Sequence, residues 1–182
     1  SMIRICGIVI EKNPNKCLKA ISTAKKFGAE LVELRIDFLD NPREATKIIS
    51  ASNLPLIATN RNQADGGMFK GSEEDRTSIL MDAIDRGCEF VDIELKVKEK
   101  LRNGIVSYAR KNKCKVIVSA HDFKKTPDIQ ALIELMNEEK RIANIGKIVT
   151  FGSKVEDAIK IFNLLTQANS INFPLIAFAM GR

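Results

Sequence analysis

Tryptophan is absent from this 182-residue chain, and histidine and tyrosine occur once each. No apolar run approaches the roughly 20 residues that a membrane-spanning helix needs, and the N-terminus lacks the shape of a signal peptide. Ser1 ahead of Met2 reads as a remnant of cloning. Few exposed aromatics leave no stacking platform for nucleic-acid bases. One histidine, and four cysteines (Cys6, Cys17, Cys88 and Cys114) without a CxxC pair, supply no metal-ligating cluster. Those cysteines read as reduced, mostly buried thiols, because disulfide frameworks belong to smaller secreted domains.

What is present fits one soluble domain. An apolar fraction of 45% with 29% charged residues excludes a disordered chain. The net charge of +6 comes from lysines interleaved with acidic residues, as at Lys96, Lys98 and Lys100. That pattern implies solvated helix faces and an anionic small substrate rather than nucleic acid or a membrane.

Short β-branched runs at 3–10, 31–37, 56–60, 90–95, 115–121, 147–151 and 173–180 alternate with segments carrying a helical stripe, such as Ile129, Leu132, Ile133 and Met136. Asn13-Pro14, Asn41-Pro42 and Thr126-Pro127 each read as a capping residue before a helix-opening proline, and Ser153 with Glu156 as a capping box. The segment 61–71, with three glycines, reads as a mobile loop between strand and helix. Strand starts fall about 28 residues apart, so eight units need about 225 residues, near the usual size of a (β/α)8 barrel. The first strand is not followed by the glycine fingerprint of a doubly wound sheet, which favours the barrel. The expectation is a (β/α)8 TIM barrel over residues 2–182 as a single domain, with the eighth strand and its flanking helices absent from the chain.

Glu33, Arg35 and Asp37 alternate in ELRID and are expected on one face of the second strand. Unpaired charge on such a buried face is costly. The pattern therefore suits either a charged network inside a barrel or a site for an anionic, hydroxylated ligand. In the second case Arg35 grips a carboxylate and Glu33 accepts from hydroxyls. Asp92 and Glu94 repeat the pattern as possible countercharges. His121 closes the fifth strand, the end at which barrel active sites lie, and its imidazole suits proton transfer. Lys147 opens the run KIVTF; desolvated beside Arg35 or Arg61, it would be a neutral amine able to attack a ketone. Arg61, just ahead of the glycine loop, offers a second clamp.

ELRID, TNR followed by DGG, SAHDF, KIVT and PLIAFAMG, in this order, resemble the type I 3-dehydroquinate dehydratases in their compact single-domain form. The resemblance implies a dimeric (β/α)8 barrel of the cytoplasm that needs no cofactor. It implies conversion of 3-dehydroquinate to 3-dehydroshikimate and water, a step of the shikimate pathway toward aromatic amino acids. Lys147 would form a Schiff base with the C3 ketone, and His121 would serve as acid and base in the syn elimination. Glu33, Arg35 and Arg61 would bind substrate. Asp65 stands where the family usually has a glutamate that pairs with the catalytic histidine. The family continues past MG through a further arginine to an eighth strand, and Arg182 follows Gly181 too early for that role. A chain lacking that unit is expected to be poorly stable or weakly active. A class I aldolase-type barrel using the same lysine is the alternative.

Overall fold

Asn13 and Pro14 open the first helix as their chemistry dictates. The Asn13 side chain accepts from the Lys16 backbone N–H at 3.0 Å, and proline lacks only an N–H that no helical carbonyl would meet. The computed structural model describes residues 4–181; Ile3, the first residue of the expected first strand, and Arg182 lie outside the described residues. Strand and helix then alternate: β1 (Cys6–Val9), α1 (Pro14–Lys26), β2 (Leu31–Arg35), α2 (Ala45–Ala51), β3 (Leu56–Thr59), α3 (Glu73–Asp85) and β4 (Phe90–Glu94). They continue with α4 (Glu99–Lys111), β5 (Lys115–His121), α5 (Ile129–Ile142), β6 (Ile145–Phe151), α6 (Val155–Ser170) and β7 (Leu175–Met180).

The chain clusters into two compact units, one running to Asp92 and including Asn103–Lys115, the other made of Ile93–Arg102 and the residues from Val116 onward. In the first unit β1, β2, β3 and β4 pair in that order, all parallel, with Ile8, Glu33, Ile57 and Phe90 in register. In the second, β5, β6 and β7 pair in order and parallel, with Ser119, Lys147 and Ile176 in one row and His121, Val149 and Phe178 in the next. Neither unit shows the reversal of strand order that marks a doubly wound sheet.

Packing follows the period of each element. Val32 and Leu34 of β2 are fully buried, as are Ile21 of α1 and Ile48 of α2. In the second unit Leu132 and Met136 of α5, Ile161 and Leu164 of α6, Ile148 of β6 and Phe173 form one apolar cluster. Each such side chain removed from water contributes about 1.5–3 kcal/mol. Because Ile148 faces the helices, Lys147 and Val149 beside it face the opposite side of the strand. Gly146 is needed here, since a Cβ would come within 2.7 Å of the Phe173 ring.

Four of the helices end alike. The N–H groups of Ala29, Cys88, Cys114 and Phe173 return to the carbonyls of Ala24, Ala83, Ala109 and Ala168. The residue before each donor is left-handed: Gly28, Gly87, Lys113 and Asn172.

Several local expectations are corrected. β2 stops at Arg35, and Asp37 lies in a 3-10 turn over Ile36–Phe38, because its carboxylate turns back onto Arg35. β6 begins at Ile145, so Lys147 is an interior residue of the strand and not its first. Thr126 caps nothing; its hydroxyl donates to the Phe151 carbonyl at 2.8 Å, and Asp128 caps α5 by accepting from Ala131 N–H at 2.9 Å. At α6 the acceptor is Asp157 and not Glu156: it takes the backbone N–H groups of Ser153 at 2.9 Å and Lys154 at 3.3 Å. Asn41-Pro42 opens a single 3-10 turn ahead of α2.

Candidate active site

The end of β2 is organised by one fork. Arg35 donates through Nε to Asp37 Oδ1 at 3.0 Å and through Nη2 to Oδ2 at 2.8 Å, while its guanidinium lies 5.0 Å over the Phe38 ring. Asp37 is fully enclosed and Arg35 partly open. The pairing modifies the expected carboxylate grip, because two of the arginine's three nitrogens, Nε and Nη2, are engaged by Asp37. Glu33, one layer below, is buried and accepts from the Thr59 hydroxyl of β3 at 2.9 Å. Thr59 was not singled out from the sequence, although its place at the end of β3, before Arg61, is where such a partner belongs.

Arg61 follows β3 and is 4% exposed; its Nη1 donates to Asp92 of β4 at 2.8 Å. Asp92 is thus the countercharge the alternation on β4 suggested. The segment 61–71 is densely bonded rather than open. Asn62 caps a 3-10 turn over Gln63–Asp65, Gly67 N–H reaches Asn62 O at 2.7 Å, and Phe69 N–H reaches Arg61 O at 3.0 Å. Gly66 takes φ 78°, and a Cβ on Gly67 would collide with the Arg61 backbone, so both glycines are required by the turn. Asp65 is buried inside this turn. Met68 N–H donates to Asp37 Oδ2 at 3.0 Å, so the carboxylate that orients Arg35 also anchors the loop.

Arg76 of α3 supports the same region, and no motif in the sequence singles it out. It is wholly buried. Its Nε and Nη2 fork onto Glu73 at 2.8 Å each, and Nη1 donates to the Asn60 carbonyl at 2.8 Å. Hydrogen bonds from Arg76 hold the Glu73 carboxyl below the usual range, against a smaller opposing effect of burial.

In the second unit, register brings the two expected catalytic residues onto one face. Ser119 and Lys147 are partners across β5 and β6, as are His121 and Val149 one layer nearer the C-terminal ends. Lys147 and His121 therefore project from neighbouring strands on the same side, offset by one layer. Both are partly accessible, and the His121 ring stacks on Phe123 with centroids 5.8 Å apart. The backbone of Lys147 is tied by its N–H to Glu139 Oε2 of α5 at 3.3 Å. An amine and an imidazole so arranged can act on one small molecule, the first as nucleophile and the second as proton carrier. Among the described residues no group of three or more His, Cys, Asp or Glu is gathered to hold a metal ion, and no helix is long and apolar enough to cross a membrane.

Comparison of the sequence with known proteins points to one family. The family model described as type I 3-dehydroquinase matches residues 5–182. A 3-dehydroquinate dehydratase of Methanococcus maripaludis is 38% identical over 179 residues, covering 97% of this chain and 79% of the relative. One from Desulfotalea psychrophila is 33% identical, covering 98% and 78%. Among solved structures, the type I 3-dehydroquinate dehydratase of Clostridium difficile superposes with a TM-score of 0.91 at 24% identity, over 97% of this chain and 75% of that one. The Geobacillus kaustophilus enzyme gives 0.91 at 23% identity, covering 100% and 75%. At those identities the structural likeness speaks for the fold, an α/β fold of TIM-barrel type with seven parallel strands among the described residues. Matched by that family model along nearly its whole length, the chain belongs to the type I 3-dehydroquinase family.

Proposed function

We propose that this chain is a 3-dehydroquinate dehydratase of the shikimate pathway and works through a lysine Schiff base. The observation that carries the mechanism is the pair Lys147 and His121, on one face of adjacent strands and one layer apart, in a chain of this family. The Lys147 amine adds to the C3 ketone of the substrate, and the carbinolamine hydroxyl leaves as water with a proton from His121, giving a protonated imine; the proton is returned when the imine is hydrolysed. His121 takes the proton from C2, and the electron pair is held by the iminium as an enamine. The enamine then expels the C1 hydroxyl, which leaves as water with a proton from His121. Hydrolysis of the imine consumes one water, returns the amine and frees 3-dehydroshikimate, for a net loss of one water.

Glu33 accepts from a substrate hydroxyl, Arg35 contributes its remaining terminal nitrogen, and Arg61 adds positive charge toward the carboxylate. Asp65 stands at the position of the family's longer glutamate. The same reading carries a homodimer in the cytoplasm; sedimentation at equilibrium tests the dimer.

Borohydride reduction in the presence of 3-dehydroquinate tests the chemistry. The expected result is a covalent adduct on the Lys147 peptide, absent in Lys147→Ala. His121→Ala should still trap adduct yet lose about 10²–10⁴-fold in the rate at which the product's enone absorbance appears. An adduct that survives in Lys147→Ala removes the lysine from the mechanism. Lack of turnover by the unaltered chain removes the proposed activity.

A further inference from the structure

Cys88 and Cys114 take no part in the chemistry above, yet the fold brings them together. Each follows a left-handed residue, Gly87 and Lys113, and each donates its N–H to an alanine carbonyl at the end of the preceding helix. The two turns are copies, and the residues that follow them are hydrogen-bonded to each other, Lys115 N–H to Glu89 O at 2.9 Å. Residues at such a position sit about one inter-strand spacing apart, within the Cα range that a disulfide spans. Their sulfurs are 3.7 Å apart, both side chains are buried, and no disulfide joins them. A cleft of about 360 Å³ lined by Leu54, Pro55, Leu56, Gly87 and Cys88 brings solvent to the Cys88 side of the pair.

We propose that Cys88 and Cys114 are a dithiol modification site, oxidised by hydrogen peroxide to an intramolecular disulfide that closes off β4 and α4 as a stapled unit. Loss of one proton leaves a thiolate hydrogen-bonded to a thiol. The thiolate attacks a peroxide oxygen, the O–O bond breaks, and the hydroxide released is protonated to water, leaving a sulfenic acid. The second sulfur attacks the first, the S–O bond breaks, and a second water leaves with the remaining thiol proton. Two thiols and one peroxide thus give one disulfide and two waters, with two electrons passing from sulfur to oxygen. Either sulfur can be the donor in the hydrogen bond between them, so one proton is shared and the buried pair ionises once and not twice.

The test treats the folded full chain with hydrogen peroxide, blocks remaining thiols with N-ethylmaleimide, and maps peptides without reduction. The expected product is a Cys88–Cys114 linked peptide, two hydrogens lighter than its parts and released by dithiothreitol. Exposed Cys6 should be oxidised or alkylated separately. The bridged form should melt at least about 5 °C higher than the reduced form. Cys88→Ser and Cys114→Ser should each lose both the linked peptide and the thermal shift. Recovery of Cys88 and Cys114 as separately alkylated peptides after Cys6 has reacted would overturn the proposal. So would linkage of either to Cys6 or Cys17, or a bridge that forms only after denaturant has unfolded the chain.

Discussion

Asp37 does three things with two oxygens: it neutralises Arg35, fixes the plane of that guanidinium, and accepts from the Met68 N–H of the following loop. Asp37→Asn keeps the shape but gives up a charge-assisted fork. The expected outcome is a KM for 3-dehydroquinate raised about tenfold, equivalent to about 1.4 kcal/mol, with kcat changed much less. Steady-state kinetics on the variant checks this; a fall in kcat at constant KM would move Asp37 out of a positioning role. The alternation in ELRID was legible as a charged cluster. What could not be read was that the strand ends two residues early so that the aspartate pairs with its own neighbour. Such a break depends on a carboxylate finding a partner in three dimensions, and period-two patterning carries no record of it.

At the level of elements, the segment 61–71 and the start of α3 form one support. Gly67→Ala would press a methyl group onto the Arg61 backbone and shift the turn that holds that arginine. The expected cost is about 1–3 kcal/mol of stability together with a raised KM, read by thermal melting and kinetics on the same preparation. The Glu73–Arg76 fork adds a pH dependence. Because the native Glu73 carboxyl is depressed, its contribution to stability is present above its unfolded value, about 4.3, and is lost as pH falls through the lower native value. Glu73→Gln should destabilise the chain near neutral pH and flatten that part of the acid limb in a pH series of denaturant midpoints. A buried Arg76 left without its partner sets the size at about 1–3 kcal/mol, moderated by the partial exposure of Glu73. Helix starts were legible where a cap and proline act locally, as at Asn13-Pro14. Thr126-Pro127 was misleading because a tertiary acceptor, the Phe151 carbonyl, competes for the same hydroxyl. The helix ends carried an unread signal, an alanine followed four residues later by a left-handed residue, at Gly28, Gly87, Lys113 and Asn172.

For the whole molecule, the strand–helix period and five ordered motifs made the family legible in the sequence, because each motif is a short stretch of neighbouring residues. Asp92 was legible as one of two candidate countercharges, but not that its partner is Arg61, because the two meet across a separation of 31 residues. The net charge of +6 belongs to this scale too. Attraction of an anionic substrate by a cationic protein predicts that kcat/KM falls about two- to threefold between about 20 and 200 mM salt. A flat salt profile would mean that local contacts alone guide binding.

The offset between Lys147 and His121 has a metric consequence. One layer in a parallel strand is a rise of about 6.6 Å, comparable with the length of a lysine's extended four-carbon stem. The amine can thus stand level with the imidazole although its backbone lies one step lower. The ruler for that match is the peptide repeat itself, so loops around it can lengthen, shorten or change composition without retuning the pair. Only a slip in register between β5 and β6 could alter the spacing, and a slip by one residue would turn every side chain of the strand to the other face.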